Sequence, residues 1–169
     1  KYNFDFLYGS LGGSGGTGIM NGSFEVDSDA DGIPDSWTRN LYPGGSGGYE
    51  TGSPLHGAKA YKFIHPGGAG NGGGYLTSDY AICSPLKALV IEFTHWATAG
   101  GMKNIVRLDY YDKDKVYLSN ATLYTGASAV SWKFRRSAWP PTNARFYKVV
   151  LIGGYTDTDV SGTAYFDDI

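Results

Sequence analysis

Apolar and polar residues alternate along most of this chain with a period of two, and no stretch repeats convincingly at helical spacing. The clearest case is Leu89–Ala97, where Leu89, Ile91 and Phe93 share one face and Val90, Glu92, Thr94 and Trp96 the other. Asn104–Tyr111 repeats the pattern, with Val106, Leu108 and Tyr110 set against Ile105, Arg107, Asp109 and Tyr111. Lys59–His65 alternates as well, with Tyr61 and Phe63 on one side. Further strands are predicted at Trp37–Tyr42, Ser131–Trp139, Arg145–Ile152 and Thr163–Ile169, and Tyr75–Ile82 is extended. Glycine-rich loops are expected at 43–48 and 66–74. Short strands separated by Gly, Pro and Asn turns predict an all-β, antiparallel two-sheet sandwich.

The amino-terminal residues stand apart from this pattern. Tyr2, Phe4, Phe6 and Tyr8 alternate as one strand would, and Gly9 to Gly18 is nearly all Gly, Ser and Thr. Residues 1–18 therefore read as a tether able to contact other subunits or domains, and 19–169 as the folded unit. Its length suits one domain with a proper core. The 26 glycines imply many turns, while 14 tyrosines and 4 tryptophans favour strands and supply flat amphipathic surfaces. A net charge of −2 gives no electrostatic footprint for nucleic acid or an anionic membrane. No apolar run approaches the roughly 20 residues of a membrane span. Cys83 is alone, which excludes an internal disulfide, and it reads as a small buried residue.

One loop carries candidate metal chemistry. Asp27, Asp29, Asp31 and Asp35 fall at alternating or near-alternating positions around Gly32, with the Ile33 carbonyl following. Calcium takes six to eight oxygen ligands, and a tight loop supplies them when short carboxylates alternate with residues that point away. Thr38 stands where a helix–loop–helix calcium site has its bidentate Glu, and the residues before the loop do not read as a helix. A calcium loop in a β context is the reading; a hydrophilic Asp/Gly turn is the alternative.

Two ends of the chain resemble a known family. Asn21-Gly22-Ser23-Phe24-Glu25 with Trp37 after a short loop is similar to the opening of the jelly-roll carbohydrate-binding modules of families four, nine and twenty-two. Trp132-Lys133-Phe134-Arg135-Arg136, Pro140-Pro141, Val149-Val150-Leu151 and Tyr165-Phe166-Asp167-Asp168-Ile169 resemble its closing half. The resemblance covers residues 19 to 169 and implies a jelly roll whose structural calcium ties the first strand to the last. Carried over, Glu25 with Asp167 or Asp168 would hold that ion, and the alternative is that these carboxylates bond turn backbone. The 27–35 loop would then be a second site. The long glycine loops depart from the family where it often binds sugar.

Sugars are held by aromatic faces and planar polar side chains. Glu92 and Trp96 on one strand, with Arg107, Asp109 and Tyr111 on the next, would make one such patch if the two strands are neighbours. Against this stands a Trp96 that caps the core beneath a solvated face. Tyr75 and Tyr80 are candidate rim residues, and His95 reads as a core histidine. No nucleophile motif or zinc spacing is present, and Glu50 with Glu92 is a candidate glycosidase pair that sequence alone does not place together. The expected function is a non-catalytic glycan- or polysaccharide-binding module of a larger secreted or surface protein. The alternative is a structural or adhesion jelly roll of a bacteriophage fibre, virion or cell-surface assembly.

Overall fold

The computed structural model describes residues 18–54, 56–67, 73–98, 103–126, 132–155 and 161–169. The expected tether, apart from Gly18, lies outside them. Among the described residues eleven strands run in chain order: β1 Trp37–Leu41, β2 Ser46–Glu50, β3 Ala60–His65, β4 Gly74–Ser78, β5 Ala81–Ile82, β6 Leu89–Ala97, β7 Lys103–Tyr111, β8 Tyr117–Gly126, β9 Trp132–Ala138, β10 Phe146–Tyr155 and β11 Gly162–Asp167. They form two antiparallel sheets. The first has the order β1-β4-β10-β7-β8, with β5 also pairing β10, and the second β2-β3-β11-β6-β9. No helix among the described residues is long and apolar enough to cross a membrane.

Strand parity sets the core. Ile91 and Phe93 of β6, Tyr61 and Phe63 of β3 and Phe166 of β11 are buried from one sheet. Val106, Leu108 and Tyr110 of β7, Leu76 of β4 and Val149 and Leu151 of β10 are buried from the other. Aromatic edges meet in the middle, with ring centroids of Phe24–Trp37 5.4 Å apart and of Tyr61–Phe63 5.3 Å apart. Phe63 fits only because two glycines face it. A Cβ on Gly153 of β10 would lie 2.4 Å from its ring, and one on Gly47 of β2 3.1 Å. This explains why part of the expected 43–48 loop is strand instead: residues 46–48 keep β pairing and use glycine to admit the ring.

Three further features complete the strand plan. Ile19–Phe24 opens the domain as a turn, closed by the Phe24 amide on the Asn21 carbonyl at 3.1 Å, while the Phe24 ring sits fully in the core. β8 has no clean alternation because its pairing with β7 shifts register twice, and its first four residues are all exposed. Gly74 belongs to β4 and not to the preceding loop.

His95 lies in the core, as its parity predicts, with no exposed surface. Its ring packs on Tyr124 and Phe134 at centroid distances of 4.3 and 4.9 Å, and its Nδ1 lies 3.3 Å from the Asn104 amide nitrogen. Burial pushes its pKa down to about 4. The unfolded chain takes up this proton near the ordinary value of about 6.5, so the unfolded state binds more protons between the two values. Stability should therefore fall as pH drops from 6.5 toward 4, by on the order of 3 kcal/mol from this group. Urea unfolding of wild type and His95→Phe across that range checks it: the variant should lack this part of the slope.

Candidate functional site

Asn21 organises the acidic loop. Its side-chain nitrogen donates to the carbonyls of Val26 at 2.7 Å and Asp35 at 3.0 Å, and its oxygen accepts from the Val26 amide at 3.1 Å. The Trp37 indole donates to the Asn21 carbonyl at 3.1 Å, which fixes the loop to the core. No spacing rule assigns Asn21 this role; its left-handed backbone, φ 52°, is a conformation that Asn tolerates.

Within this loop Asp27, Asp29 and Asp35 each bring a carboxylate oxygen within 4.8 Å of the others. Asp27 Oδ1 is buried and has no hydrogen-bond donor. The Ser28 amide donates to Asp35 Oδ1 at 2.9 Å and holds that carboxyl below its ordinary pKa. Hard oxygen donors gathered this closely fit a divalent cation. Asp31 is not in the group; its Oδ1 accepts the Ile33 amide at 2.7 Å and shapes the turn.

The chain-end carboxylates have other partners. Glu25 Oε1 accepts the amides of Ala58 at 2.8 Å and Lys59 at 3.1 Å, and Asp167 Oδ2 accepts the His56 amide at 2.8 Å. Both therefore pin the stretch 56–59. A Cβ on Gly57, at φ +62°, would collide with Glu25 Oε1. Asp168 turns to the Lys133 ammonium at 3.0 Å. Among the described residues these three do not form an acidic group of metal-site size. The two chain ends also meet directly, through the Ile169 amide on the Gly22 carbonyl at 2.9 Å.

The expected single ligand patch is divided. β6 and β7 are consecutive in sequence but lie in different sheets, so Trp96 and Glu92 stand on one outer face and Tyr111, Arg107 and Asp109 on the other. On the β6 face, Trp96 stacks flat on its cross-strand neighbour Tyr165, centroids 4.5 Å apart and planes within 3°. Glu92 lies 3.5 Å from Lys133 and 3.8 Å from Arg135. Glu50 of β2 pairs with Lys62 at 3.0 Å. Three strand spacings, roughly 14 Å, separate β2 from β6, beyond the range of a two-carboxylate glycosidase.

The β7 face is richer. Arg107 and Asp109 form a two-point pair at 2.7 and 3.0 Å. At one end Tyr80 meets Tyr111 edge-on at 5.0 Å and Phe146 at 6.0 Å, and Tyr111 meets Tyr117 at 5.8 Å. Burial, and then the Asp109 charge, push the Tyr111 phenol up, so it stays protonated. At the other end Tyr75 packs on Tyr42 at 5.9 Å. Register places Thr77, Val150, Arg107 and Thr122 in one row across four strands between these ends. Sequence reading missed this assembly because Tyr80, Phe146 and Tyr117 belong to separate elements.

The sequence matches no protein-family model and no curated protein. Solved structures match at the level of the backbone. The family 16 carbohydrate-binding module-2 aligns with a TM-score of 0.59 and 16% identity, over 90% of this chain and 96% of that one. The fold is that of the jelly-roll carbohydrate-binding modules. The family 11 module of a cellulosomal cellulase of Clostridium thermocellum gives 0.54 at 12% identity, over 89% and 90%. The enzymatically active domain of tailspike protein 4 of bacteriophage CBA120 gives 0.62 at 12% identity, over 90% of this chain but only 20% of the tailspike chain.

Removing the Asn21 side chain breaks three hydrogen bonds that close the loop. Asn21→Ala should lower stability by about 1–3 kcal/mol, read as a drop in melting temperature.

Proposed function

We propose that this chain is a non-catalytic glycan-binding module, and that the β7 face is its binding surface. The observation that carries the reading is the arrangement on that face: aromatic clusters at both ends and hydrogen-bonding side chains between them. Six residues of β7, roughly 20 Å, separate the Tyr111 row from the Ile105 row, which suits an extended oligosaccharide more than one ring. The likeness to carbohydrate-binding modules supports the same reading. A binding module of this type belongs on a larger secreted or surface-exposed protein, and residues 1–18 are the proposed contact with other parts of it. The tailspike likeness favours a second reading, a structural domain of a fibre. Mass measurement of the particle in solution alongside glycan binding separates the two: a monomer that binds glycan fits the module, and an oligomer that binds none fits the fibre.

Trp96 and Glu92 are the weaker candidates, because one face of the Trp96 ring is already covered by Tyr165. Tyr111→Ala should weaken glycan binding by about tenfold or more, and Trp96→Ala should leave it unchanged. Titration of the best-binding polysaccharide from an array of neutral and acidic glycans tests this, and the opposite ranking would move the site to the β6 face.

We also propose calcium at Asp27, Asp29 and Asp35, supported by the gathered oxygens and the buried, donor-less Asp27 Oδ1. Bound there, the ion would draw these carboxylates together and offset their mutual repulsion. An ion that binds only the folded state at a hundred times its dissociation constant adds about 2.7 kcal/mol. A chelator should lower the melting temperature of wild type and leave Asp27→Asn unaffected. An unchanged wild-type value would count against the ion.

A further inference from the structure

Two ammonium groups converge on the Tyr80 ring. Lys148 Nζ of β10 lies 4.2 Å from its centroid, and Lys115 Nζ of the β7–β8 turn lies 4.7 Å from it and 5.8 Å from that of Phe146. Tyr80 is itself 37% exposed. Asp109, Asp112 and Lys113 on the β7–β8 side are already engaged. Lys148 stands opposite Asp109 in the strand register, yet both oxygens of that carboxylate are held by Arg107. Lys113 pairs with Asp114 at 2.7 Å, and Asp112 Oδ1 accepts the amides of Asp114 and Val116, each at 2.9 Å. Among the described residues, neither Lys115 nor Lys148 has a carboxylate within ion-pair distance. Two positive charges are thus left on an aromatic platform at one end of the β7 face.

The turn that carries Lys115 fixes where its side chain starts. Lys115 sits at φ +61° in the hairpin turn, where its amide donates to the Asp112 carbonyl at 3.1 Å. That left-handed position favours Gly or Asn, and a long side chain there is strained. Asn21, Phe24, Ala30, Ser36 and Asp168 share this conformation, and Lys115 is the one among these six whose ammonium reaches the aromatic cluster.

We infer that the Tyr80 end of this face takes the negatively charged group of an acidic polysaccharide, a carboxylate or a sulfate, between Lys115 and Lys148. The sugar ring carrying that group packs on Tyr80 and Tyr111, and the chain continues along the face toward Tyr75. This inference depends on the glycan-binding reading of the same face.

The test is affinity of the full chain for polygalacturonate, which carries only carboxylates, dextran sulfate, which carries only sulfates, and neutral xylan. Wild type should prefer one of the two acidic polymers, with binding that weakens as salt rises. Which of them binds identifies the group as carboxylate or sulfate. Lys115→Gln and Lys148→Gln should each weaken that binding about tenfold, in line with a lost charge-assisted contact. Lys115→Gly should do the same while raising the melting temperature by about 2 °C, because the turn is relieved. Binding of xylan through Tyr111, unaffected by either lysine variant, would overturn the charge inference and leave the glycan reading intact. Acidic-polymer binding undiminished in both variants would also overturn it. Binding of none of the three, together with none on a wider array, would overturn the glycan reading and this inference with it.

Discussion

The sandwich depends on one close approach: the Phe63 ring of one sheet lies against the bare backbone of Gly153 in the other. Sheets packed face to face stand about 10 Å apart, and their side chains must interdigitate without strain. At this point the ring occupies the space where a facing side chain would begin. Gly47 makes room for the same ring from the neighbouring strand. With Phe63 seated, Tyr61 and Phe166 find its edges, and the aromatic layer runs on to Phe24 and Trp37. The acidic loop inherits its position from that layer, because the Trp37 indole holds the carbonyl of Asn21, which in turn closes the loop.

Much of the fold was legible because a half-buried strand writes its orientation into the sequence. The inward and outward residues of β6 and β7 were separated correctly by parity alone, and so was the core placement of His95. Parity says which face a residue takes within its own sheet. It does not say which sheet that is. The expected joining of Trp96 with Tyr111 failed on this point, since the chain crosses from one layer to the other between β6 and β7. β8 escaped notice for another reason: an edge strand with two register shifts has no regular burial to leave a pattern.

The acidic residues show the same division between local and distant information. The spacing of Asp27, Asp29 and Asp35 is local, and the structure gathers their oxygens. The partners of Glu25 and Asp167 are amides from a loop some thirty residues after the first and more than a hundred before the second. No spacing rule reaches that far. Lys115 was invisible for a related reason, because a lysine at a glycine position declares itself only through its backbone angle.

Two of the four edge strands, β8 and β9, differ in how well they are insulated. β9 ends one sheet with Lys133, Arg135 and Arg136, whose like charges repel any identical strand laid beside them. β8 ends the other with ten residues that include no charge and no proline. Its two register shifts bend the rim but leave main-chain groups free to pair with an incoming chain. Crowding at high concentration therefore acts on β8 rather than on β9, and annealing along that strand would build rows of sandwiches with both outer faces still open to solvent.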